Sequence, residues 1–163
     1  MNQIVDNPGV IAPPPLIFAG AVVLGLILDW LFPVYALAVV FYGTGRIVIG
    51  ILLMGAGIAL AVAAGREFHG VGTNVSPLKP SLQLATGGVF RYLRNPMYVG
   101  LALFVAGLAI ALASDWTVVM LVAAIVIVHR GVVLREEGYL EQKFGEPYRQ
   151  FKARVPRYGW PEK

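Results

Sequence analysis

The chain has 163 residues, 58% of them hydrophobic and only 13% charged, and it contains no cysteine. With a mean hydropathy of +0.72, that balance excludes an ordinary soluble domain, and the absent thiols exclude disulfides, thiolate zinc sites and a cysteine nucleophile. The net charge of +4 is read as membrane topology and attraction to anionic headgroups, and nucleic acid is not an expected partner.

The opening stretch MNQIVDNPGVIAPPP has no basic residue and no small-residue cleavage site. The first span is therefore expected to be kept rather than removed as a signal peptide. Pro13, Pro14 and Pro15 start that span over 16–32, because proline lacks only an N–H that the first helical turn would leave unbonded. Residues 34–42 are apolar for too short a run to cross a bilayer and are expected to form a turn or half-buried hairpin. A second span is expected over 47–64, with Gly50, Gly55 and Gly57 allowing close helix packing. No strand precedes GAGIAL, so it is not read as a dinucleotide-binding turn. Residues 66–96 break the apolar pattern and read as a long ordered loop or a pair of interfacial segments. Two further spans are expected over 97–113 and 116–134, joined at SDW. Beyond them the charged tail carries leucine and aromatic residues at helical spacing, the pattern of an amphipathic helix on the membrane surface. The expected fold is thus all-α: one integral membrane domain of about four transmembrane helices, a cytoplasmic loop and a C-terminal amphipathic helix.

Twelve of the thirteen Lys and Arg residues lie in the 66–96 loop or from Arg130 onward. The positive-inside rule then places both charged regions in the cytoplasm, and an even number of spans places both termini there. The localisation read from this is a bacterial cytoplasmic membrane.

RNPMY, residues 94–98, has a plain structural explanation: Asn suits an N-cap, Pro the first helical position, and Arg an interfacial anchor. More is implied by VHRGVVLREEGYL, which sets His129, Arg130, Arg135, Glu136 and Glu137 on one helical segment near the membrane boundary. Ionisable groups at that depth are costly and commonly functional. Their seven-residue spacing pairs His129 with Glu136 and Arg130 with Glu137 on two helical stripes. His69 is the only other histidine, so no metal site is expected. A carboxylate, a proline-led helix start flanked by Arg, aromatic rings and a loop of backbone amides together suit S-adenosylmethionine. Its sulfonium is already an activated methyl donor, so a chain without a nucleophilic triad can use it by positioning.

These residues resemble a known family, the membrane-embedded methyltransferases that include isoprenylcysteine carboxyl methyltransferase and the phospholipid N-methyltransferases. The resemblance runs from about Gly72 to Pro156. It rests on LQLATGGVFRYLRNPMYVG, then a pair of spans, then REEGYLEQKFGEPYRQFKARVPR, similar to the family's Arg-His-Pro-x-Tyr segment followed by Glu-Glu, Phe-Gly-x-x-Tyr and Val-Pro-Arg. The resemblance implies that Leu82, Gln83, Leu84, Ala85 and Phe90 line a cofactor pocket, that Asn95, Pro96, Met97 and Tyr98 continue it, and that Glu136 holds the cofactor. It implies Arg130 as the arginine turned toward the substrate, and Arg94 and Glu137 are read beside it as further catalytic candidates. Asn95 stands where the family commonly has histidine. An amide does not titrate near neutral pH, so this position is not read as a general base. The activity implied is methyl transfer from S-adenosylmethionine to a lipophilic acceptor, a carboxylate, amine or thiol, arriving from the bilayer. Two rivals are a small helix-bundle channel or transporter, for which the sequence has no inverted repeat, and a non-enzymatic lipid-binding protein, which leaves the paired glutamates without a purpose.

Overall fold

The computed structural model describes residues 6–159, so the chain ends, including the expected cytoplasmic termini, lie outside the described residues. Among those described, every regular element is helical. The apolar helices of the bundle are α1 (Pro14–Leu31), α3 (Gly45–Gly70), α4 (Pro96–Leu112) and α5 (Asp115–Val128), and a five-residue helix, α2 (Ala36–Val40), bridges the first two. A π turn (His129–Val133) carries α5 without interruption into α6 (Leu134–Phe144), after which comes α7 (Glu146–Arg154). Three of these helices are long and apolar enough to cross a membrane: Pro14–Leu31, Gly45–Gly70 and the joined Asp115–Phe144. The apolar α4 is shorter, at 17 residues. The protein is an integral membrane helix bundle.

Two span ends differ from the sequence reading. The helix expected to stop at residue 64 runs on to Gly70, carrying Arg66, Glu67 and His69 that had been assigned to the loop. Nothing in REFHG breaks a helix. At about 1.5 Å per residue, 26 residues give about 39 Å, enough to cross the hydrocarbon and extend into the polar layer. The last span likewise continues into the tail, and the joined helix ends only where Gly145 adopts φ 60°.

The bundle consists of two tight pairs, α3 with α4 and α1 with α5, joined where α4 meets α5. Glycine decides the first pair. A Cβ on Gly50 would lie 2.6 Å from the Gly107 carbonyl oxygen, and one on Gly100 would lie 2.6 Å from that of Gly57. The two backbones therefore meet directly, and close backbone approach is what drives helix association where no water is available to be released. Gly55 meets nothing within 4 Å and takes no part in this seam.

At the end away from the charged loop, Ala113 takes the left-handed conformation (φ 53°) that closes α4, and Ser114 caps α5 by accepting from the Thr117 N–H. The Ser114 hydroxyl also bonds to Asp29, while the Asp29 carboxylate accepts from the Trp116 N–H at 3.3 Å. Asp115 accepts from the Leu37 N–H at 3.0 Å, which fixes α2 beside this turn. The 33–46 connection thus packs against the α4–α5 turn.

The tail also differs from expectation. Its apolar side packs on protein: Tyr148, Phe151 and Val155 form a buried cluster with Ala64, Ala85 and Phe90. The 71–95 loop offers Ala85 and Phe90 as apolar surface at the helix ends, and the tail covers them in preference to lipid.

Candidate functional site

The helix ends that carry the charged groups enclose a cavity of about 370 Å3, within the range of small-molecule pockets. One wall is the loop, held in shape by Thr73, whose buried hydroxyl accepts from the N–H groups of Leu82 (2.9 Å) and Gln83 (3.2 Å). This places Gln83, Leu84, Ala85 and Phe90 in the wall, while the Leu82 side chain is exposed and lies outside it. A second wall is the start of α4, with Asn95, Pro96, Met97 and Tyr98 all bordering the space. Asn95 occupies the N-cap position, but its side chain does not cap the helix and instead donates to the Arg157 carbonyl at 3.4 Å. The first amides of α4 therefore have no side-chain cap, and the residues that carry them border the cavity.

The two glutamates have separate surroundings. The Glu137 carboxylate is 6% exposed and accepts from Arg94 Nη1 at 2.8 Å, Arg157 Nε at 2.8 Å and Arg157 Nη2 at 2.7 Å. Both of its oxygens are engaged, and the cluster ties α6 to the loop and to the C-terminal segment. Glu136 has one donor among the described residues, the Tyr98 hydroxyl, which lies 2.8 and 2.9 Å from its two oxygens. A carboxylate in a cavity with one neutral donor has unused acceptor capacity and is placed to receive a cation.

The π turn explains why the seven-residue stripes do not form. Its Leu134 N–H bonds to the His129 carbonyl, five residues back. The extra residue rotates everything after it by about 100° relative to what precedes. His129 instead faces Tyr158, with its Nδ1 2.8 Å from the hydroxyl. Arg130 is exposed and outside the cavity lining. The arginine that does border the space is Arg94. Among the described residues no group of His, Cys, Asp and Glu could hold a metal ion.

Several residues of the site escape the sequence reading. Tyr148 and Phe151 of the tail, Phe68 near the end of α3, and Pro8 with Pro13, Pro14 and Pro15 all line the cavity. Phe68 and Phe90 meet with ring centroids 5.0 Å apart, a tilted pair. Burial, reinforced by the charge of Glu137, pushes the Tyr148 hydroxyl well above the ordinary phenol range and keeps it neutral. Residues 155–158 fold back over the site: the Arg94 N–H donates to the Pro156 carbonyl at 3.0 Å, and Arg157 and Tyr158 reach Glu137 and His129. The Val-Pro-Arg triplet was the sequence signal for this clamp, although spacing alone assigns it no partner.

The loop, the α4 start and the Glu-Glu segment also carry the likeness to known proteins. The phospholipid methyltransferase family matches residues 45–147. A stretch of 73 residues is 29% identical to the protein-S-isoprenylcysteine O-methyltransferase of Schizosaccharomyces pombe (strain 972 / ATCC 24843), covering 45% of this chain and 31% of that protein. Another of 62 residues is 32% identical to an uncharacterized protein of Haemophilus influenzae (strain ATCC 51907 / DSM 11121 / KW20 / Rd), covering 38% of this chain and 98% of that one. The match thus spans under a third of the S. pombe protein's length. No solved structure matches. With a family match that takes in α3, α4, the loop between them and the paired glutamates, the chain belongs to the phospholipid methyltransferase family.

Proposed function

We propose that this protein transfers a methyl group from S-adenosylmethionine to a lipophilic acceptor drawn from the bilayer. The observation that carries the reading is Glu136, a cavity carboxylate whose one donor among the described residues is a neutral hydroxyl. The residues present fit the donor. Glu136 would hold its ammonium, the uncapped amides at the start of α4 would take its carboxylate, and the Phe68–Phe90 pair with Tyr148 would bound its apolar surfaces. When bound, the donor supplies a methyl group already activated on a positive sulfur. The protein's tasks are then orientation and exclusion of water: Tyr98 fixes the carboxylate of Glu136, Arg94 and Arg157 hold Glu137 and with it the helix that carries both glutamates, and the tail closes the cavity.

Glu136→Gln is expected to weaken S-adenosylmethionine binding by about 1.5–3 kcal/mol, the range for a hydrogen bond to a charged group, with the fold retained. Tyr98→Phe removes the hydroxyl that bonds Glu136 and is expected to lower affinity by about 0.5–1.5 kcal/mol, while melting without ligand stays close to the parent. Calorimetry on the detergent-purified protein measures both. Unchanged affinity in Glu136→Gln removes that residue from the site and the reading with it.

The cavity end is proposed to face the cytoplasm, where the donor is available, because the basic residues cluster there. Cysteines placed at Lys79 and Gln150, both exposed at that end, should resist an impermeant thiol reagent applied to intact cells, and one at Tyr42 should label. The reverse pattern inverts the orientation.

A further inference from the structure

The segment before α1 lines the cavity through Pro8 and Pro13–Pro15, and its two halves are held in different ways. Toward the membrane, the Ile11 N–H donates to the Gly131 carbonyl at 3.2 Å, and the Ile11 side chain covers the π turn so closely that a Cβ on Gly131 would meet Ile11 Cγ1 at 2.7 Å. Pro14 is buried and begins the spanning helix. Val10 packs on the buried cluster shared by α1, α4 and α5, so this half is tied to the bundle. Toward water, residues 6–9 are held by polar contacts at the surface. Asp6 pairs with Lys143 Nζ at 2.6 Å and accepts from the Tyr139 hydroxyl at 2.8 Å, with the Asp6 side chain 56% exposed. Asn7 Nδ2 donates to the Leu78 carbonyl at 3.5 Å, and Arg135 Nη1 donates to the Gly9 carbonyl at 2.6 Å. Tyr139 also accepts from the Ser81 N–H at 3.1 Å, so one hydroxyl joins the segment, the loop and α6 at the cavity rim. Between the halves stands Gly9 at φ +60°, a conformation that glycine adopts without strain, with nothing within 4 Å of a Cβ placed there.

Exposed pairs of this kind are individually weak and exchange readily with water, whereas buried packing does not. We infer that residues 6–9 form a door on the aqueous side of the cavity, hinged at Gly9 and latched to α6 through Asp6, Tyr139 and Lys143, by which a polar ligand enters and leaves. Taking that ligand to be the methyl donor rests on the function proposed above. The geometry of the door does not, and the two are tested apart.

The chain has no cysteine, so a single one reports without background. Ala85, 5% exposed in the cavity wall, becomes the probe as Ala85→Cys in the full-length protein in detergent, read by the labelling rate with a small charged thiol reagent. Adding Asp6→Ala or Lys143→Ala is expected to raise that rate three- to ten-fold. Glu146→Ala, which removes an exposed pair with Arg149 on α7, should leave it unchanged. Equal rates in the latched and unlatched proteins overturn the door, as does acceleration by Glu146→Ala, which would report general loosening. In parallel, the latch variants should release S-adenosylmethionine faster by a similar factor. A parent protein that binds no S-adenosylmethionine sinks the donor assignment and leaves the labelling result to decide the door.

Discussion

Glu137→Ala is expected to lower stability by about 3–5 kcal/mol, the range for removing one partner of a buried ion pair. The side chain of Arg94 is 3% exposed, so loss of Glu137 removes a carboxylate that lies 2.8 Å from a guanidinium that water reaches poorly. Arg157 loses both of its bonds to the same carboxylate, which loosens the C-terminal clamp. Thermal melting of the detergent-purified protein without ligand measures the effect, and a melt within the error of the parent would refute the burial argument. The comparison with Glu136→Gln separates two adjacent residues by role, since Glu136→Gln should lower donor affinity with little loss of stability. Substituting Glu137 and Arg94 together by apolar residues should cost less than Glu137→Ala alone, because the buried guanidinium is removed along with the carboxylate it pairs with.

Gly57→Val is expected to cost about 3 kcal/mol, the upper part of the range for overpacking. The added atoms would meet the Gly100 carbonyl oxygen and, at 2.8 Å, the Phe104 nitrogen. These are backbone atoms, which cannot swing aside as a side chain can. Relief requires α3 and α4 to separate along the seam that also includes Gly50 and Gly107. Gly55→Val, two residues away on the same helix and facing open space, serves as the control and should be nearly silent. Equal melting of the two variants would show that the glycine seam does not hold the pair together.

The sequence by itself determined the class of this protein. Hydropathy marks each spanning helix, because transferring about twenty apolar side chains out of water is additive along the chain and does not depend on neighbours. The prolines that start α1 and α4 were equally legible, since proline's missing N–H is a local property. Two ordered motifs pointed to the family that matches residues 45–147, and most of the residues they named border the cavity. Tertiary structure alone decided the rest. Whether a helix stops at the membrane surface depends on what its polar end meets, so Arg66 to Gly70 remained helical and the last span ran on into α6 where composition marked a boundary. Helical periodicity assumes an unbroken α register, and the π turn at His129–Val133 violates that assumption, sending His129 to Tyr158 and leaving Arg130 exposed. Two adjacent glutamates are alike as residues. Among the described residues they differ because Arg94 and Arg157, distant in sequence, neutralise Glu137, while Glu136 receives one hydroxyl, from Tyr98. Charge pairing over such separations is a property of packed helices, and spacing along one chain carries no record of it.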